Sequence, residues 1–118
     1  MTLRELRAAH YDRFHRQDWF DDEPFLDREP WPHGVVAGVR YAGDLPHDTV
    51  TLPSAATLAA LFVADPTAKW WKYYLWTSDH DRFGQRVYVG GACPENGHRF
   101  EIHRHLAITD KWASPVIL

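Results

Sequence analysis

Residues 85–108 constrain this chain more than any other stretch. QRVYVGGAC and HRFEIHRHLAI alternate apolar with polar or aromatic side chains, and PENG stands between them. A period of two marks a half-buried strand, and Asn96-Gly97 is the strongest short hairpin signal. A two-residue turn would pair Glu95 with His98; a four-residue loop would pair Cys93 with His98. Both registers oppose odd-numbered to even-numbered positions, so the two faces come out the same. Val87, Val89, Phe100, Ile102 and Leu106 share the core face. Arg86, Tyr88, Glu101, His103 and His105 share the other, and a one-residue slip would mix them.

A third strand is expected over 70–78, WWKYYLWTS, which is aromatic and β-prone. Lys72 assigns Lys72, Tyr74 and Trp76 to the wetter face. Upstream, Thr2 and Glu5 form a Thr-x-x-Glu capping box, and Leu3, Leu6, His10 and Phe14 fall on one helical stripe, predicting a helix over 2–17. GVVAGVRY (34–41) and DTVTL (48–52) are strand candidates. Pro53-Ser54 open a second helix whose stripe is Ala55, Leu58, Ala59, Phe62 and Val63, stopped at Asp65-Pro66. KWASPVIL is an apolar tail. The reading is α+β: an N-terminal helix and one buried helix packed on an antiparallel sheet with a C-terminal three-stranded meander. At 118 residues the chain is one domain, 1–118, because two cores would each be too small to fold without staples.

Residues 18–29 hold six acids against one base, Arg28. Pro24, Pro30 and Pro32 deny them a long helix or a central strand. Trp19, Phe20, Phe25, Leu26 and Trp31 predict an extended segment pinned by its aromatics, since exposing so much apolar area is costly. A docking motif for a basic partner is the alternative.

Function is expected on the polar–aromatic sheet face: Lys72, Tyr74, Trp76, Arg86, Tyr88, Glu101, His103 and His105, beside the bare backbone of Gly90 and Gly91. Tyr, Trp, Arg and His in one patch match the composition of recognition surfaces. The expectation is a binding or accessory domain contacting a protein or a small ligand there. Its histidines can change charge near neutral pH. One alternative is a small enzyme or metalloprotein using Glu101, His103 and His105, for Glu-x-His-x-His puts three ligands or an acid–base pair on one strand face. A fourth metal donor would have to come from elsewhere, with His98 and Cys93 near the turn as candidates, though Cys93 falls on the face opposite Glu101 and His103; a Cys93–His98 nucleophile across the hairpin is a weaker expectation. A third reading is a single-stranded nucleic-acid binder through the Lys- and aromatic-rich strand 69–76. Residues 66–118 carry only seven bases against five acids and the whole chain is at −3, which argues against it. Asp79-x-Asp81 could open a calcium loop, but Phe83 and Gly90 stand where ligands are needed; a turn is expected. There is no phosphate-binding glycine loop and no nucleophile elbow, so no cofactor is expected. No apolar run approaches membrane-spanning length. The charged N-terminus and single cysteine predict a cytoplasmic protein.

Overall fold

The capping box forms as read. The Glu5 amide donates to the Thr2 hydroxyl at 3.2 Å, and the Thr2 amide to the Glu5 carboxylate at 2.9 Å. In the computed structural model, which describes residues 1–28, 36–41, 52–104 and 112–117, helix α1 spans only Leu3–Ala9. The expected helix over 2–17 ends early for a tertiary reason. Tyr11–Arg13 is a single 3₁₀ turn, after which Phe14 becomes extended and bridges Phe100 in parallel. The Phe100 amide donates to the Arg13 carbonyl at 2.9 Å, and the His15 amide to the Phe100 carbonyl at 2.8 Å. A continued helix would forfeit both bonds and draw Phe14 out of the core, where it is buried.

Helix α2, Ala55–Ala64, starts where the sequence places it. The Ser54 hydroxyl accepts from the Thr57 amide at 3.1 Å, an N-cap, and Leu58, Ala59 and Phe62 are fully buried. Five strands form one sheet: β1 (Val36–Tyr41), β2 (Tyr74–His80), β3 (Arg86–Gly90), β4 (Glu101–His103) and β5 (Trp112–Ile117), in the order β1-β5-β2-β3-β4. β2, β3 and β4 are the expected antiparallel meander. The tail read as merely apolar is instead strand β5, antiparallel to β1 and parallel to β2. Pro115 is tolerated in this inner strand because β2 pairs only with Trp112 and Ala113. The strand candidate over 48–52 lies outside the described residues except for Leu52, and so do His105 and Leu106.

The predicted face parity holds. β3 pairs with β4 as Val89–Ile102 and Tyr88–His103, the register of the four-residue loop. Val87, Val89 and Ile102 are at most 1% exposed, and Leu75 joins them from β2. Both helices pack on this side. The acidic segment is pinned by its aromatics as expected, with Phe20, Phe25 and Leu26 buried in the same core, but Pro24–Asp27 is a 3₁₀ turn rather than extended, and Glu29 and Trp31 lie outside the described residues. Three of its acids are engaged within the chain, Asp21 with Arg7, Asp27 with Arg4, and Glu23 with Arg82. The β2–β3 loop is an Asx turn, since one Asp81 oxygen accepts from the amides of Phe83 and Gln85, each at 2.8 Å.

β4 is an edge strand, and the N-terminal segment seals it. The Gln17 side chain imitates a neighbouring strand, accepting from the Ile102 amide and donating to the Ile102 carbonyl, both at 3.0 Å. The Trp19 indole donates to that same carbonyl at 2.9 Å. Such a cover removes a row of unpaired backbone groups that would otherwise template aggregation. Gln17→Ala should cost about 1–3 kcal/mol, because the Ile102 amide is left without its partner. Denaturant unfolding, with amide exchange at Ile102, measures this; an unchanged exchange rate there would show that the seal lies elsewhere.

Candidate functional site

The outer face of β2, β3 and β4 carries two cross-strand rows. Tyr74 lies opposite Gly90, which lies opposite Glu101; Trp76 lies opposite Tyr88, which lies opposite His103. Rings meet edge to face: Tyr74 with His103 at 5.4 Å between centroids, Trp76 with Tyr88 at 6.1 Å. These are favoured aromatic geometries. The Arg86 guanidinium stacks over the Trp76 ring at 5.4 Å and donates to the Thr77 carbonyl at 2.5 Å. Tyr74, Trp76, Arg86 and His103 are all half-buried.

Three expectations about this face need correction. Lys72 is not on it: Lys69–Lys72 is a 3₁₀ turn, the Tyr73 amide donates to the Trp70 carbonyl at 3.0 Å, and the chain enters the sheet only at Tyr74. Tyr88 is on the predicted side but only 8% exposed, so it supports the face from within it. The backbone at Gly90 and Gly91 is not bare. A methyl group at Gly91 would lie 2.5 Å from the Tyr74 ring, so that ring already fills the space a ligand would have taken. His105, the remaining expected member, lies outside the described residues.

Glu101 and His103 form the polar end of the face. The imidazole Nε2 is 2.5 Å from a Glu101 oxygen. The other Glu101 oxygen accepts from the Asn96 amide nitrogen. Asn96 was legible only as a turn residue, yet its side-chain oxygen also accepts from the amides of Cys93 and Arg99, each at 3.1 Å. Those bonds hold the side chain in place and so orient Glu101. Burial alone would push the Glu101 carboxyl up. The bonds from His103 and Asn96, with His15 nearby, outweigh it and hold the carboxyl below its usual range. The phenol of Tyr74 is pushed up by burial and by the Glu101 carboxylate, so it stays protonated at neutral pH. Burial likewise raises Tyr88, partly offset by Arg86. His15 reaches this corner through the extended Phe14–Gln17 segment. Its apparent place in a longer helix hid that in the sequence.

The comparisons with known proteins are empty. No family model, no curated protein and no solved structure matches this chain.

Glu101 directs its oxygens at His103 and Asn96, and among the described residues no three His, Cys, Asp or Glu side chains gather as a metal-binding set. Within the stretch 69–76, Trp71 is buried at 2% exposure, with its indole donating to the Asp65 carbonyl at 2.7 Å, while Tyr73, Tyr74 and Trp76 are half-buried. Cys93 and His98, which flank the hairpin turn, line one groove beside the 3₁₀ turn. Among the described residues no helix is long and apolar enough to cross a membrane.

Proposed function

We propose that the protein is a small binding or accessory domain that contacts a protein or small ligand through the outer face of β2, β3 and β4. One observation carries this reading. Both described helices pack on the Leu75, Val87, Val89 and Ile102 side, while Tyr74, Trp76, Arg86 and His103 stand half-buried and contiguous on the other. Edge-to-face rings hold them in fixed rotamers, so binding would lose little side-chain entropy. Arg86 and the Glu101–His103 pair give the patch a cationic end and an end rich in hydrogen-bonding groups.

The short Glu101–His103 contact supports a second reading, in which the carboxylate orients the imidazole for proton transfer at its remaining ring nitrogen.

The test is a fragment library titrated into isotopically labelled protein and followed by amide shifts. The binding reading expects shifts clustered at Tyr74, Trp76, Arg86 and His103, lost in the Arg86→Gln, His103→Gln double variant while its melting temperature stays within a few degrees. Shifts confined to other surfaces would overturn it.

A further inference from the structure

Lys72 belongs to the 3₁₀ turn and borders a groove rather than the sheet face. A groove of about 590 Å³ runs between the 3₁₀ turn and the β3–β4 loop, lined by Lys69, Trp71, Lys72, Tyr73, Cys93 and His98 among others. That volume is in the range of small-molecule sites. Its walls are stitched together by backbone: the Gly91 amide donates to the Tyr73 carbonyl at 3.0 Å, the Ala92 amide to the Trp71 carbonyl at 2.9 Å, and the His98 amide to the Cys93 carbonyl at 2.8 Å. The groove is therefore preformed.

Its charge is one-sided. The ionisable groups among its described lining residues are Lys69, Lys72, Tyr73, Cys93 and His98, with no carboxylate. Two of the chain's three lysines are here, in a protein whose net charge is −3. Arg4, Arg7, Arg28, Arg82 and Arg104 are paired with carboxylates, whereas neither groove lysine forms an ion pair among the described residues. Lys72 instead lies over the Tyr73 ring at 5.2 Å. His98 is held at φ 57°, in the left-handed region that Asn, Asp and His enter more readily than other side-chain-bearing residues.

We propose that this groove binds a small aromatic anion, its apolar body against Tyr73 and Pro94 and its carboxylate, sulfonate or phosphate between Lys69, Lys72 and His98. An aromatic body suits the Tyr73 and Pro94 rings, and a single anionic group suits unpaired ammonium groups at the rim. Cys93, half-buried in the same groove and the chain's only cysteine, is a built-in reporter.

The probe is 8-anilinonaphthalene-1-sulfonate, titrated by fluorescence into the full folded chain, with N-phenyl-1-naphthylamine as its uncharged counterpart. The expected result is saturable binding of the sulfonate, favoured over the uncharged compound, with Cys93 alkylation by iodoacetamide slowed at saturation. Lys69→Gln with Lys72→Gln should weaken sulfonate binding about tenfold or more, the scale of a lost charge-assisted hydrogen bond. Lys69→Arg with Lys72→Arg should keep it, which separates charge from fold. Equal affinity in the glutamine variant, equal affinity for the two compounds, or undiminished alkylation at saturation would each overturn the proposal. The groove does not share the outer-face residues, so this result stands apart from the fragment titration.

Discussion

Phe100→Ala should lower the unfolding free energy by about 3–5 kcal/mol, the upper range for large-to-small core substitutions. Phe100 is 1% exposed and joins three parts of the chain that no local signal connects. Its ring lies 5.0 Å from that of Phe62 in α2, 5.5 Å from Phe14 in the N-terminal segment and 6.0 Å from Trp71 in the 3₁₀ turn, centroid to centroid. Truncation removes the buried area and three ring contacts together, and the surrounding rings are too rigid to collapse into the space. Its backbone bonds to Arg13 and His15 survive in the alanine variant, so the loss reports the side chain. Chemical denaturation measures it, with Phe83→Ala as a control. Phe83 is 71% exposed, and its truncation should change stability by no more than about 0.5 kcal/mol. A loss below about 1 kcal/mol at Phe100 would mean that the three elements do not meet at this ring.

What the sequence made legible follows from range. Face parity in β3 and β4 needs only alternation and a turn, and it held in the longer of the two registers considered. The capping box at Thr2 and the Ser54 cap are local chemistry and formed where read. The errors all involve a distant partner. Nothing near Phe14 says that it will leave a helix to meet Phe100, and nothing near Gln17 says that its amide will stand in for a strand. Alternation carried through WWKYY predicts Lys72 on the sheet. The chain instead buries Trp71 against α2 and turns first. Asn96 shows the same limit at the site: its turn propensity was readable, but its bond to Glu101 requires the hairpin to be closed. The aromatic face was legible as a set of residues, and its filling by Tyr74 over Gly91 was not.

Gly90 offers the sharpest contrast between two costs that sequence alone cannot separate. Gly90 sits at φ 119° and Gly84 at φ 80°, both in the range that favours glycine. A methyl group at Gly84 would meet nothing within 4 Å, whereas one at Gly90 would run into the Tyr73 carbonyl oxygen and lie 3.3 Å from that of Trp71. Those two carbonyls accept from the Gly91 and Ala92 amides, so they cannot move without breaking the bonds that join β3 to the 3₁₀ turn. Gly84→Ala should therefore cost only its backbone conformation, about 1–2 kcal/mol. Gly90→Ala should carry a backbone cost of about 1–3 kcal/mol and an overpacking cost of about 1–3 kcal/mol besides. Parallel denaturation of the two variants gives the difference directly. Equal losses would mean that the strand and the turn separate freely, and the preformed groove between them would then have no fixed wall.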